Sequence, residues 1–124
     1  DVIGSVANYF KKNGWKSNQL IMSNLIYEDS NKKYIENESK KTYKPKTPYK
    51  TFVNNRLYAD EIITDSTLLS VIGREEQGGK IYSFAHKNFY VITRYNRSRL
   101  YALAVYSLSN EIKRHKSELE NHNL

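Results

Sequence analysis

The chain has no cysteine among its 124 residues. That excludes a disulfide scaffold, a thiolate metal site and a cysteine nucleophile within it, and leaves the compartment open. Its two prolines, Pro45 and Pro48, fall close together and block helix in that stretch. No apolar run approaches the roughly 20 residues that a membrane-crossing helix needs, and no signal peptide opens the chain. Hydrophobic residues make up 39%, below the usual share for a globular chain but not low enough for disorder. Acidic residues are the minority charge. Asp and Glu number 13 against 20 Lys and Arg, a net charge of +7, which favours acidic partners: nucleic acid, an anionic lipid face, or a charged cell-wall polymer. Charge alone does not choose among them. The first residue is Asp rather than Met, so a processed chain or part of a longer one is expected.

Tyrosine is plentiful, with 11 copies. A phenol is apolar across its ring and polar at its tip, so it suits surfaces that are both packed and wet, as carbohydrate sites and interfaces are. The stretch Asn88-Phe89-Tyr90-Val91-Ile92-Thr93-Arg94-Tyr95-Asn96-Arg97-Ser98 concentrates the informative residues. Alternation places Phe89, Val91 and Thr93 on one face of an extended segment and Tyr90, Ile92 and Arg94 on the other, which predicts a strand covered on both sides. Asn96 or Ser98 can cap the helix that follows, where Leu100, Leu103, Ala104, Leu108 and Ile112 recur at helical spacing. That helix is expected from about Arg99 to Glu118, with its first half buried and its second half solvated.

Residues 1–13 predict a helix, with Asp1 as N-cap and Ile3, Val6, Ala7 and Phe10 as an apolar stripe. Gly4 within it suggests the close approach of another backbone. Asn13-Gly14 ends the helix and Trp15 can fold back on it. Residues 16–27 hold two short apolar runs, read as one or two strands. Residues 28–50 carry seven lysines against four acids and read as a mobile, solvated excursion with room for a short extended piece. A short helix is expected within 51–65. Thr67 to Arg74 and Lys80 to Phe84 read as strands joined through Gln77-Gly78-Gly79, completing a three-stranded antiparallel meander with the strand after Asn88.

The opening Asp1-Val2-Ile3-Gly4-Ser5-Val6-Ala7-Asn8-Tyr9-Phe10, with Asn13-Gly14-Trp15 after it, resembles the membrane-bound lytic murein transglycosylase B family. So does the stretch from Asn88 to Ser98, followed by Tyr101-Ala102-Leu103-Ala104-Val105. The middle, about 17–66, shows little of the resemblance. It implies an α+β fold: N-terminal and C-terminal helices of a lysozyme-like lobe flanking a small antiparallel β-subdomain. Residues 1–15 would belong to the lobe, 16–94 to the inserted subdomain with its excursion at 28–50, and 95–124 to the last helix of the lobe. Family members cleave the MurNAc–GlcNAc linkage of peptidoglycan without water, leaving a 1,6-anhydro end. One glutamate acts as acid and then as base, since the sugar's own hydroxyl attacks and a second carboxylate is not needed. That glutamate lies upstream of the opening motif and would precede Asp1, so this chain alone is expected to be inactive.

The resemblance carries over to particular positions. Tyr9 matches a cleft tyrosine on the first helix, Tyr95 and Asn96 match the Tyr-Asn pair beside the catalytic acid, and Tyr101 matches a cleft tyrosine on the last helix. Phenol rings stack on pyranose faces, and an amide can bond an N-acetyl group or a ring hydroxyl. Arg94 could orient a carboxylate through a charge-assisted bond. Many members have a calcium loop just before this start, with Asp1 where its last ligand would fall. No metal or other cofactor is expected in this chain, although a full-length parent could carry calcium. The implied partners are glycan strands of peptidoglycan and an upstream catalytic segment, with self-association through exposed helix faces. Nucleic acid is not expected. The implied location is the periplasm, with outer-membrane anchoring through an upstream part.

Without the resemblance the same residues have plainer readings. Tyr9 and Tyr101 would be core aromatics, Asn96 and Ser98 helix caps, and the lysines a solvated surface. Glu75-Glu76 beside the hairpin turn reads as a solvated face, and His86, His115 and His122 show no catalytic or metal-binding context. A basic, tyrosine-rich nucleic-acid module and a non-catalytic cell-wall module are the competing functions.

Overall fold

Leu69 to Gly73 are buried without a break, so the strand that carries them is covered on both faces. In the computed structural model, which describes residues 8–122, this strand separates two apolar cores. In chain order the elements are helical residues 8–12 (α1), β1 (Met22–Ile26), α2 (Lys32–Ser39), β2 (Thr47–Pro48), α3 (Tyr49–Asn54), β3 (Tyr58–Ala59), β4 (Leu68–Glu76), β5 (Gly79–Ala85), α4 (Lys87–Tyr95) and α5 (Arg99–His122). The sheet is antiparallel throughout, in the order β2-β4-β5-β1-β3. The fold is therefore α+β.

Strand periodicity distributes the side chains. Leu69 and Val71 of β4, with Tyr82 and Phe84 of β5, face one core, where Ile35, Tyr49, Phe52 and Leu57 join them from α2, α3 and the segment after it. Ile72 and Ala85 point the other way, into a core shared with Ile21, Met22, Phe89, Ile92 and Ala102. The expected hairpin forms, with Glu76 paired to Gly79 across a two-residue Gln77-Gly78 turn. Gly79 has φ +122°, which favours glycine there.

Three sequence readings are corrected. The strand expected after Asn88 is the helix α4. Its β-branched run suits a strand by propensity, but as a helix it buries Asn88, Phe89, Val91, Ile92 and Thr93 together. Val91, Ile92 and Thr93 give up a few tenths of a kcal/mol of helix propensity each, which burial worth about 1.5–3 kcal/mol per large apolar side chain outweighs. The meander's third strand is accordingly β1, paired with β5. Residues 28–50 are no loose excursion: α2 inserts Ile35 fully into the first core while its lysines stay outside. The first half of α5 is not buried as a whole. Only Ala102 is fully buried there, and Leu100 and Leu108 are exposed.

Other expectations are met in part. Residues 16–27 yield one strand. The helix sought in 51–65 begins and ends earlier, as α3. Asp1, Ile3, Gly4, Val6 and Ala7 lie outside the described residues. From Asn8 onward the first helix ends as expected, with Gly14 at φ +95° and the Trp15 amide donating to the Phe10 carbonyl at 2.9 Å.

Candidate functional site

Tyr9, Tyr95 and Tyr101 lie far apart in sequence and come together in one aromatic cluster. The turn after α1 fixes its first side: Trp15 stacks on Phe10 with ring centroids 5.4 Å apart and an interplanar angle of 22°. The last residue of α4 supplies the centre. The Tyr95 ring is 5.2 Å from Tyr9, 5.6 Å from Phe10 and 6.0 Å from Tyr101, the first two edge-on. The Tyr9 hydroxyl donates to the Arg94 carbonyl at 2.8 Å, filling one of the acceptors that a helix C-terminus leaves open. Tyr95 remains 41% exposed and Tyr9 and Tyr101 are half-buried, so the rings are held by one another yet still meet solvent.

The loop between α4 and α5 carries the polar groups. Asn96 leaves α4 in extended conformation, and its Oδ1 accepts from the Ser98 amide at 3.0 Å. This local turn fixes the side chain and leaves the amide Nδ2 as a donor. Ser98 precedes α5 and its Oγ accepts from the Tyr101 amide at 3.3 Å, the capping role open to it from sequence. Arg94 is exposed, and its guanidinium makes no hydrogen bond or ion pair among the described residues. The arrangement offers a ring platform with an oriented amide beside it. No Asp or Glu is buried among the described residues, so none of these carboxyls sits in the apolar setting that a lone general acid requires. Nor do three His, Asp or Glu side chains gather there as metal ligands, and Asp1 lies outside the described residues.

Sequence reasoning missed the other end of α4. His86, read as an unpromising turn residue, is 7% exposed and sits just before the helix, where its carbonyl accepts from Phe89 and Tyr90. Its Nε2 is 2.8 Å from the Ser23 Oγ, and burial pushes the imidazole pKa down to about 4. Asn88 is 1% exposed and pins a distant loop: Oδ1 accepts from the Lys16 amide at 2.8 Å, while Nδ2 donates to the carbonyls of Lys16 and Gln19 at 2.8 and 3.2 Å. Composition could not flag either residue, because their partners are more than 60 residues away. Both line a cavity of about 730 Å³.

The chain as a whole is similar to known proteins. The family model described as the transglycosylase SLT domain matches residues 1–110. The membrane-bound lytic murein transglycosylase B of Escherichia coli K12 is 32% identical over 112 residues, 90% of this chain and 29% of that protein. The soluble lytic transglycosylase SltB1 from Pseudomonas aeruginosa superposes with a TM-score of 0.78 at 32% identity, over 94% of this chain and 37% of that one. The Escherichia coli lytic transglycosylase Slt35, in complex with bulgecin A, gives a TM-score of 0.74 at 27% identity, covering 94% and 35%. The chain thus spans about a third of the length of the relatives it matches.

Proposed function

The chain belongs to the transglycosylase SLT domain family, and we propose that it forms one wall of the glycan-binding cleft of a peptidoglycan lytic transglycosylase. The whole enzyme would cleave MurNAc–GlcNAc linkages to 1,6-anhydro ends. The observation that carries the reading is the convergence of Tyr9, Tyr95 and Tyr101 into one half-exposed cluster beside Asn96. Phenol faces pack on pyranose rings and the Asn96 amide bonds an N-acetyl group. Arg94 supplies positive charge at the rim for carboxylates of the substrate. The catalytic acid would come from another part of the enzyme. A peptidoglycan substrate implies the periplasm. Among the described residues no helix is long and apolar enough to cross a membrane, so anchoring would come from elsewhere. The nucleic-acid alternative loses the stacking platform expected on the meander, because Tyr82 and Phe84, the aromatics of β1, β4 and β5, are buried.

The test is co-sedimentation of the chain with purified peptidoglycan sacculi at low and raised salt, beside Tyr95→Ala and Asn96→Ala. Retention at raised salt that falls about tenfold in both variants is the expected result. Retention that vanishes with salt and ignores both residues would overturn the glycan site, since a basic chain meeting an acidic polymer explains it. The same preparations should release no anhydro-muropeptides from sacculi.

A further inference from the structure

We propose that the cavity at the N-terminal end of α4 is a second binding site, for a short anionic peptide carrying free carboxylates. The proposal rests on the peptidoglycan reading only in naming a source, since peptide stems supply such chemistry. The cavity, about 730 Å³, is much larger than one small anion. Lys16, Lys44 and Lys87 line it from three separate segments, the Lys87 ammonium lying 5.5 Å from the Tyr90 ring centroid, and no acidic residue lines it. None of the three forms an ion pair with a carboxylate among the described residues. Leu20, Pro45 and Leu68 give the same cavity apolar wall, which suits small side chains between the carboxylates.

The walls are built into the fold. Three bonds from the Asn88 side chain fix the 16–19 loop, and Ser23 holds His86. The opposite wall is tied by the Lys46 amide to the Leu69 carbonyl at 3.3 Å and the Tyr49 amide to the Thr67 carbonyl at 2.8 Å. A ligand therefore finds the cavity formed, which lowers the ordering cost of binding. The aromatic cluster lies at the other end of α4, about 12 Å away along a nine-residue helix axis. An extended peptide of roughly four residues covers that distance, so a sugar on the cluster and its attached peptide in the cavity are compatible in length.

The experiment is calorimetric titration of the 124-residue chain with N-acetyl-Ala-Glu-Ala as the free acid, at low salt, beside the uncharged N-acetyl-Ala-Gln-Ala amide. The acid should bind, the amide at least tenfold more weakly, and K16Q/K44Q should weaken the acid about tenfold. Both lysines are exposed, so the melt of K16Q/K44Q should match the wild type. Equal binding of acid and amide, or wild-type binding by K16Q/K44Q, overturns the assignment. So does inorganic phosphate that displaces the peptide at equal concentration, because the site would then read charge alone. Y95A should titrate as the wild type. Sacculi stripped of peptide report on the glycan cluster separately. Tyr95-dependent retention on them beside a null peptide titration would overturn the cavity assignment and leave the glycan reading standing.

Discussion

At the scale of single residues, Asn88 and His86 carry more of the architecture than their types suggest. Asn88→Ala would leave one amide and two carbonyls of the 16–19 loop without their partner in a part-buried place. Unsatisfied buried groups cost about 1–3 kcal/mol each when water cannot replace the partner, and here partial hydration of the loop should hold the total to about 2–4 kcal/mol. Denaturant titration checks this, and an unchanged midpoint would show that the loop does not depend on Asn88. His86 predicts a pH dependence whose sign is fixed. Its folded pKa of about 4 lies below the ordinary 6.5, so the unfolded chain binds a proton in that window that the folded chain refuses. Stability is full above pH 6.5 and falls as pH drops towards 4, by up to about 3 kcal/mol. His86→Gln, which can keep a bond to Ser23, should flatten that part of the profile relative to the wild type. Equal slopes in the two proteins would refute the assignment. Tyr9, Tyr95, Asn96 and Tyr101 could be named as candidates because they fall within the two stretches that carry the family resemblance. Asn88 and His86 could not, because their roles depend on partners 72 and 63 residues away.

At the scale of elements, the hairpin and the stop of α1 were readable because glycine at a tight turn is a local signal. Gly14 and Gly79 both adopt the positive φ that glycine tolerates best. The α2 and α4 helices were not readable in the same way. Periodicity over Phe89 to Arg94 fits two faces of a strand about as well as one side of a helix, and the decision comes from Ile72, Ala85 and Ala102 packing around Phe89 and Ile92. In α2 a single apolar residue, Ile35, is fully buried among lysines and acids, too little signal for a helix reading. It also makes a sharp prediction. Ile35→Ala should cost about 2–5 kcal/mol in a thermal or urea melt, the range for deleting a buried branched side chain. A mobile excursion would lose nothing. A change below about 0.5 kcal/mol would therefore restore the loop reading and remove α2 from the core.

For the whole molecule, the unbalanced feature is the outer length of α5. Leu108, Ile112 and Leu119 are exposed at 61%, 60% and 52%, and their spacing of four and seven residues sets them along one side of the helix. Nothing among the described residues covers that stripe, and Glu111 and Lys116 offer opposite charges beside it. The Arg114 pairs with Glu111 and Glu118, at 2.7 and 3.1 Å, support the helix locally but are exposed and add little to its docking. An uncovered apolar stripe on a helix 24 residues long is costly in water and tends to find a second surface. The chain in isolation should therefore self-associate, with a sedimentation coefficient that rises with concentration. Leu108→Lys/Ile112→Lys should shift that equilibrium towards monomer at least tenfold, because each leucine or isoleucine returned to water forfeits about 1.5–3 kcal/mol. The helix should survive the change, since both positions are exposed and lysine is a good helix former. A longer chain whose further elements cover α5 should lose the self-association without any substitution. A chain that stays monomeric at millimolar concentration with both residues intact would show that α5 needs no covering surface, and the stripe would then have no part in assembly.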